Sequence, residues 1–309
     1  MKRGRYDHAF AGHLAAVDLG AREHYADAAL YDYEYRRRRA DVLWYREVAR
    51  RVLGGPGRPH PQTSSAGAGP GAESWEILEL GCGSGRVTVP LARDGHRVVA
   101  LDQSQAMLDA LEARRARLPA AVRDRIRPVY GDLRDFDRRR RFPLVIAAFN
   151  VLEHLYTRVE LEACLRAVRR HLAPGGAFAF DVQLPDPAWL ARDPDRRWAR
   201  TRFTHPTTGK RVWYSTSHDY DPVSQIAVIR LYYQPDGGGP ERVVLLSQRK
   251  YFPAELEALI AHAGFRIVER NGDFQGGPLG PGCESQVVIC ERTVGSSTGT
   301  RKKKSNRRR

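Results

Sequence analysis

The sequence predicts an α/β protein in which an open, doubly wound and mostly parallel sheet carries a smaller antiparallel insert. Short apolar runs alternate with stretches of helical length between residues 75 and 197, which is typical of a parallel sheet covered by helices on both faces. From about residue 200 the runs are rich in Val, Ile, Tyr and Trp and are separated by short turns, which favours an antiparallel meander. The 309 residues suffice for one such domain with elaborations.

Composition and periodicity divide the chain into six regions. Apolar residues at helical spacing over 6–53 predict a cap of helices, and a Gly-, Pro- and Ser-rich stretch after them predicts a linker. The regions are an N-terminal helical cap at 1–53, a flexible linker at 54–74, a Rossmann-like core at 75–197, an antiparallel lid insert at 198–252, the C-terminal part of the core at 253–292 and a disordered basic tail at 293–309.

The individual elements follow from the same pattern. Strands of the main sheet are expected at 75–80, 97–101, 126–130, 144–149, 177–182, 265–270 and 285–291. Helices are expected at 85–93, 104–118, 158–171 and 253–263. The insert is expected to hold three strands, at 210–220, 225–234 and 242–251.

The formal net charge of +15 is concentrated at one end of the chain. Residues 301–309 hold seven basic side chains and no acid, and without them the charge is +8. The remaining bases are mostly Arg mixed with acids along predicted helices, which indicates solvated faces rather than a stripe that follows phosphates. We therefore expect no specific nucleic-acid partner. With no run of about 20 apolar residues and no apolar signal core, we also expect no membrane partner and a cytoplasmic location.

A glycine-rich turn follows the first predicted strand. Gly81, Gly83 and Gly85 are spaced G-x-G-x-G, and a helix is predicted directly after them. Glycine permits a tight turn and lets a ligand approach the backbone. A dehydrogenase fingerprint would place its third glycine at the sixth position, where this chain has Arg86, so the spacing argues against a dinucleotide-dependent dehydrogenase.

Acidic residues end the next two strands. Asp102 closes the second strand, 21 residues after Gly81, and Asp132 closes the third. In doubly wound sheets ligands bind outside the carboxyl ends of the strands, and an acid after strand two reaches ribose hydroxyls. Three consecutive strand ends thus carry a turn and two acids where one nucleoside would sit.

Residues 75–183 resemble the class I methyltransferases that use S-adenosylmethionine (SAM). The resemblance rests on five segments, which are Glu79–Gly85, Asp102–Leu108, Gly131–Leu133, Asn150–Leu155 and Leu172–Gly176. It implies SAM as the cofactor and a sheet order of 3-2-1-4-5-7-6 with the last strand antiparallel. It also implies that Asp102 binds the ribose hydroxyls, that Met107 packs on adenine and that Asp132 binds the adenine amino group.

The resemblance implies further cofactor contacts. Glu79 and the three glycines would surround the methionine part of SAM. The remaining residues expected at the cofactor are Tyr31, Gln103, Leu133 and Asn150. Tyr31 belongs to a segment, Tyr25–Tyr35, that resembles the Tyr-Asp segment folding over SAM in small-molecule members of the family. The alternative is that these tyrosines simply pack the cap.

Asn150 and His154 are the candidate catalytic residues, because they follow strand four where the methyl group should point. The segment is similar to the E-x-x-E-H metal site of ubiquinone-pathway O-methyltransferases and small-RNA 2′-O-methyltransferases. Asn150 replaces its first acid, so we expect no metal. His154 is a candidate general base, and a structural hydrogen bond is its alternative role. His205 and His218 could also reach an acceptor, or be structural.

The predicted activity is methyl transfer to an N or O atom of a small metabolite. An amine needs mainly positioning, whereas a hydroxyl needs a base or a metal. The insert resembles the lid of glycine-type and amino-sugar N-methyltransferases, and its aromatic residues are expected to line an acceptor pocket or a dimer interface. These aromatic residues are Trp213, Tyr214, Tyr220, Tyr232 and Tyr233.

Two other functions remain open at this point. An RNA methyltransferase would show a continuous Arg surface beside the methyl site, and an inactive SAM-fold binding protein would show a blocked acceptor pocket. The oligomeric state is expected to be a monomer or a homodimer.

Overall fold

The computed structural model describes residues 15–54 and 76–293. The predicted linker at 54–74 and tail at 293–309 lie almost entirely outside the described residues, as does the start of the predicted helical cap. The main sheet contains seven strands, namely β1 (Glu76–Leu80), β2 (Arg97–Asp102), β3 (Ile126–Tyr130), β4 (Phe142–Ala147), β5 (Leu172–Gln183), β10 (Phe265–Asn271) and β11 (Ser285–Arg292).

The strand order confirms the predicted topology. From one edge to the other it is β3-β2-β1-β4-β5-β11-β10, which is the expected 3-2-1-4-5-7-6. The pairs among β1 to β5 are parallel, and β11 is antiparallel to both of its neighbours. All carboxyl ends of β1 to β5 therefore meet at one edge of the sheet.

Helices cover both faces of this sheet. The α-helices of the chain include α1 (Ala28–Tyr35), α2 (Ala40–Leu53), α3 (Thr88–Arg93), α4 (Gln105–Ala116), α5 (Ala120–Arg123), α6 (Arg158–His171), α7 (Pro187–Leu190) and α8 (Pro253–His262). Helices α2, α3 and α4 pack on one face, and α6 and α8 pack on the other. In β1 the side chains of Ile77 and Leu78 enter opposite clusters, which is why its apolar run is continuous.

The insert forms a separate antiparallel sheet in the order β6-β7-β8-β9, with β6 (Trp198–Thr204), β7 (Arg211–Asp221), β8 (Ile226–Pro235) and β9 (Arg242–Arg249). Strand β6 was not predicted from the sequence. This edge strand is mostly exposed and carries Arg200 and Arg202, so it lacks the apolar alternation that predicts a strand.

The N-terminal segment packs on the second sheet at two places. Leu30 contacts Leu231 and Tyr233, and Val17 lies in a second cluster with strand β8. Between them the chain crosses β9 so closely that a Cβ on Gly20 would lie 2.6 Å from the backbone nitrogen of Ser247. The described part of the predicted helical cap consists of a helix at 15–20, α1 and α2, which are separated by turns.

Candidate active site

A cavity of about 760 Å³ opens at the carboxyl edge of the main sheet. Its walls come from the ends of β1, β2 and β3, from the loop after β4 and from the N-terminal segment. Nine of the sequence-predicted site residues line it, namely Tyr31, Gly81, Gly83, Asp102, Gln103, Met107, Asp132, Leu133 and His154. Glu79, Gly85 and Asn150 are not among the lining residues.

The three glycines of the turn have different tasks. All three have positive φ angles, which glycine adopts without strain. A Cβ on Gly81 would lie 2.5 Å from Val151, and one on Gly85 would lie 2.4 Å from Leu111, so both permit close packing. A Cβ on Gly83 would meet nothing within 4 Å, so this glycine presents bare backbone to the cavity.

Asp102 faces the cavity with an oriented carboxylate. One oxygen accepts a hydrogen bond from the Gly83 N–H at 2.7 Å, and the other accepts from the Ser104 N–H at 2.8 Å. A carboxylate oxygen accepts more than one hydrogen bond, so both oxygens keep capacity for a ligand. This hydrogen bond links Asp102 to the bare backbone of Gly83 on the same wall of the cavity.

The wall beyond strand β3 is built around Asp132. Its carboxylate binds the Arg134 guanidinium, with the shortest contact at 2.6 Å, and accepts from the Arg134 N–H at 2.8 Å. Leu133 and Met107 are buried apolar neighbours on the same cavity wall. This part of the cavity therefore combines apolar surface with a fixed carboxylate.

Glu79 lies beneath the glycine turn rather than on the cavity wall. Its side chain is 2% exposed and accepts a hydrogen bond from the Thr88 hydroxyl at 2.6 Å. Burial raises the pKa of Glu79 to about 8. Glu79 thus connects the end of β1 to the start of helix α3.

The loop after β4 contains two residues in left-handed backbone conformations. Phe149 has a φ of 66° and Asn150 a φ of 61°. The prediction that a strand extends to residue 149 was therefore wrong, because β4 ends at Ala147 and the chain turns sharply. Phe149 is not among the residue types that favour this conformation, so neighbouring groups must hold it.

Asp181, which is not among the sequence-predicted site residues, holds this turn. Its carboxylate accepts from the Phe149 N–H at 2.7 Å, from the Asn150 N–H at 3.1 Å and from the Tyr45 hydroxyl at 2.6 Å. Burial raises its pKa to about 6. Asp181 lies near the carboxyl end of β5, two residues before the strand ends at Gln183.

His154 belongs to a hydrogen-bond chain, and we assign the direction of the chain from the bond between Ser247 and Val17. The Ser247 hydroxyl donates to the Val17 carbonyl at 2.8 Å, so its oxygen accepts from the Tyr156 hydroxyl at 2.6 Å. Tyr156 then accepts from Nδ1–H of His154 at 3.3 Å, and Nε2 accepts from the Tyr25 hydroxyl at 2.6 Å. Burial lowers the pKa of His154 to about 4, so the imidazole is neutral near pH 7.

Glu153 forms a buried ion pair instead of facing the cavity. Its carboxylate contacts Nζ of Lys250 at 2.8 Å, and both side chains are almost fully buried. Lys250 also donates to Gln183 and Gln248, and the other Glu153 oxygen accepts from the Gln183 N–H. Within 15–54 and 76–293, no group of three or more His, Cys, Asp or Glu side chains is placed to hold a metal ion.

The N-terminal segment is tied to the glycine turn by charge. Asp32 accepts from the Ser84 hydroxyl and from Arg114 of helix α4. In helix α2, Asp41 is buried and forms a bidentate pair with Arg86. These contacts place Tyr31 and Tyr25 on the cavity wall.

The aromatic residues of the second sheet, which were expected to line an acceptor pocket or a dimer interface, do not line this cavity. Tyr214 and Tyr233 pack with Leu30 of the N-terminal segment, because this side of the sheet is covered by that segment. Tyr232 bonds Ser217, and the Trp213 indole donates to Asp236.

Two histidines of the insert have partners away from the cavity. His205 lies near Asp27, with 3.8 Å between Nε2 and the carboxylate. His218 stacks on Trp189 with ring centroids 3.6 Å apart and donates to its carbonyl. The observed contacts favour the structural alternative for both.

The residues of the cavity fit a nucleoside cofactor. The bare backbone at Gly83 leaves room for a ligand against the turn, Asp102 offers acceptors for hydroxyl groups, and Met107 with Leu133 offers an apolar surface for a base. Together with the sheet order, this arrangement defines a Rossmann-like nucleoside-binding protein.

Comparisons with known proteins narrow the class. A family described as "Methyltransferase domain" matches residues 77–176. The cypemycin N-terminal methyltransferase of a Streptomyces species is 31% identical over 218 residues, which cover 70% of this chain and 82% of that protein. The dTDP-3-amino-3,4,6-trideoxy-alpha-D-glucopyranose N,N-dimethyltransferase of Streptomyces venezuelae is 28% identical, covering 68% and 81%.

A solved structure agrees with these matches. The CcbJ methyltransferase from Streptomyces caelestis superposes with a TM-score of 0.61 at 30% identity, covering 72% of this chain and 90% of that one. The chain therefore belongs to the class I SAM-dependent methyltransferases. It is an enzyme whose cofactor is SAM. In the part of the chain that the structure describes, no helix is long and apolar enough to cross a membrane.

Proposed function

We propose that this enzyme transfers a methyl group to an amine nitrogen of a small molecule. The observation that carries the proposal is the directed hydrogen-bond chain from Tyr25 on the cavity wall, through His154, to the Val17 carbonyl. Because the Tyr25 proton is given to His154, the Tyr25 oxygen keeps lone pairs for a donor in the cavity. An amine N–H is such a donor, and its nitrogen lone pair would then point away from Tyr25.

The state of His154 favours nitrogen over oxygen as the acceptor. A hydroxyl must lose its proton as it is methylated, which calls for a base or a metal. An imidazole whose pKa lies at about 4 is a weak base. A neutral amine nitrogen is a stronger nucleophile than a neutral hydroxyl, and its methylated ammonium product can release a proton to water after the transfer, so orientation and exclusion of water suffice. Asn150 lies behind the wall, so its contribution is to shape the loop that carries His154.

SAM supplies an electrophilic methyl group on a sulfonium when it is bound. Asp102 would accept hydrogen bonds from the ribose hydroxyls, and the backbone of Gly81 and Gly83 would lie against the methionine part. Met107 and Leu133 would enclose the adenine, with Asp132 at its amino group. Gln103 and Tyr31 line the same cavity, whereas Glu79 and Gly85 would act by holding the turn.

Aromatic rings beside this position suit a cationic reaction centre. The ring centroids of Tyr25 and Tyr31 lie 5.7 Å apart, and those of Tyr31 and Tyr35 lie 4.7 Å apart. The faces of aromatic rings attract cations, including a sulfonium and a methylated ammonium. The second sheet would act as the lid on this region, because it anchors the N-terminal segment that carries these rings.

The names of the relatives support an amine acceptor. One is an N-terminal methyltransferase and the other an N,N-dimethyltransferase of an amino sugar, so a primary or secondary amine is what the two names share. We assign the same chemical group to the acceptor of this chain, on an amino sugar or an amino acid derivative.

The test is an assay with SAM labelled in its methyl group. Three acceptors are compared: an amino sugar, the same sugar with a hydroxyl in place of the amine, and total RNA. Label should enter the amine compound alone. Tyr25→Phe should lower turnover at least tenfold while SAM affinity is kept, since it removes the hydrogen-bonding oxygen from the cavity wall.

Tyr33→Phe is the matched control, because Tyr33 stacks on Phe203, does not line the cavity and should leave turnover unchanged. Equal labelling of the hydroxyl sugar would overturn the nitrogen assignment. Label in RNA that persists without residues 301–309 would make RNA the acceptor.

A further inference from the structure

Five arginines converge at the edge of the main sheet opposite the SAM cavity. They line a cavity of about 420 Å³ and are Arg141, Arg166, Arg169, Arg170 and Arg292. Arg141 directly precedes β4, three are near the end of helix α6, and Arg292 ends the antiparallel strand β11. All these positions lie at the amino edge of the parallel strands, so the cluster is separate from the methyl-transfer site.

These arginines lack the acidic partners that other arginines of the fold have. Among the described residues, none of the five forms an ion pair with an Asp or Glu. On the same helix α6, Arg158 pairs with Glu162 at 2.6 Å, and beside Arg292, Glu291 pairs with Arg266 at 2.5 Å. The charge of the cluster is therefore concentrated rather than neutralised.

Two of the guanidinium groups are fixed by the fold. Arg292 donates to the Leu172 carbonyl at 3.2 Å. Arg169 lies against Gly264, where a Cβ would come within 2.9 Å of its Nε. This Nε is buried without a hydrogen-bond partner among the described residues. Burial, together with the Arg169 and Arg141 charges, lowers the pKa of Arg292.

The end of a helix explains only part of the cluster. Basic side chains in the last turn of a helix interact favourably with its dipole, which accounts for Arg169 and Arg170 on α6. Arg292 also reaches this helix end, because it donates to the carbonyl of Leu172, the C-cap residue of α6. Arg141 directly precedes β4 and is not part of the helix. Their convergence with the helix arginines places like charges together, which costs stability unless an anion lies between them.

We propose that the arginine cluster is a binding site for a compact anion that carries several phosphate groups. Guanidinium groups bind phosphate oxygens through paired, charge-assisted hydrogen bonds. The arginines come from three elements and meet at one cavity, which suits a compact ligand. A nucleic-acid backbone instead needs charges along a line. The location at the amino edge means that this anion is not the methyl acceptor.

The test uses the full chain and tripolyphosphate as the probe. Calorimetry measures the binding of the probe, and thermal unfolding measures its effect on stability. Tripolyphosphate should bind the wild type and raise its Tm. Arg169→Gln and Arg292→Gln should each weaken binding at least tenfold. Arg158→Gln, on the same helix outside the cluster, is the matched control and should bind as the wild type does.

The outcomes separate this site from the basic residues 301–309, which every variant retains. Loss of binding in the two cluster variants, with unchanged SAM affinity, supports the proposal. Equal binding by wild type and variants would place the anion on other bases and overturn it, as would no binding at all. A single-stranded oligonucleotide that displaces tripolyphosphate from the cluster at equal or lower concentration would overturn the compact ligand in favour of nucleic acid.

Discussion

The two edges of the main sheet treat charged side chains in opposite ways. At the carboxyl edge each charged group has a partner within the chain: Asp102 binds backbone N–H groups, Asp181 binds a hydroxyl and two N–H groups, and Glu153 binds Lys250. At the amino edge the arginines of the cluster have no acidic partner among the described residues. Internal partners fix a reaction site before its substrate arrives, whereas unpaired charges at a fixed cavity are matched by an external ion.

The largest expected effect comes from breaking the pair of Glu153 and Lys250. Lys250→Met leaves the Glu153 carboxylate buried without its cation, which should lower the free energy of unfolding by about 3–5 kcal/mol. Chemical denaturation measures this change. The double variant Glu153→Gln, Lys250→Met should recover most of the loss, because neither charge remains. A double variant as unstable as Lys250→Met would mean that packing of the Lys250 stem, and not the unpaired charge, causes the effect.

The next effect concerns the pH dependence that His154 imposes. Its folded pKa of about 4 lies below the ordinary value of 6.5, so the unfolded chain binds the proton more readily. The neutral group's full contribution to stability is present above pH 6.5 and is lost as the pH falls toward 4. The loss is on the order of 3 kcal/mol. His154→Gln should flatten this part of the profile, measured by denaturation between pH 4 and 7.

Other buried groups act in the same pH range and must be separated from His154. The pKa of His24 is also lowered by burial to about 4, and it remains in the variant. The raised pKa of Asp181 acts in the opposite direction, with stability lost as the pH rises through about 6. The relevant quantity is thus the difference between wild type and His154→Gln. A constant difference across the range would contradict the low pKa.

The third effect concerns the carboxyl edge of the sheet, at the expected cofactor contact of Asp102. Asp102→Ala should weaken SAM binding about tenfold or more, because charge-assisted hydrogen bonds of this kind contribute on the order of 1.5–3 kcal/mol. Calorimetry on the purified enzyme measures the change. Asp109→Ala is the control, since Asp109 on helix α4 accepts a hydrogen bond from the nearby Gln105 and does not line the cavity. Unchanged affinity in Asp102→Ala would remove Asp102 from the ribose contact.

The sequence predicts those features of the fold and the site that depend on local, repeated patterns of apolar residues. Asp102 and Asp132 could be found because each ends an apolar strand, and the parallel pattern brings those ends together. The contact between Tyr25 and His154 spans 129 positions and that between Glu153 and Lys250 spans 97, so no periodicity reports them. Asp181 lies inside β5 and not at its end, so no strand-end signal marked it, and its importance comes from the left-handed turn that it holds.

The arginine cluster could not be predicted from the sequence either. The sequence shows arginines mixed with acids and therefore predicts solvated faces. Three of the five lie on one helix, but Arg141 and Arg292 join them only because the antiparallel β11 ends at the edge where β4 begins. Average charge along the chain cannot reveal which side chains the topology brings to one point.

The smallest expected effect concerns the basic residues 301–309. Ending the chain after Thr300 removes seven bases in a stretch without apolar side chains, and such a stretch has no surface to bury. Thermal stability, SAM affinity and turnover should stay at wild-type values, and only salt-sensitive adhesion to nucleic acid should fall. The shortened chain should also keep its affinity for tripolyphosphate at 0.5 M salt, because the fixed arginines of the cluster remain. A large loss of that affinity would mean that the amino edge needs these nine residues to bind its anion, and the contrast between the two edges would then rest on the terminal bases and not on the fold.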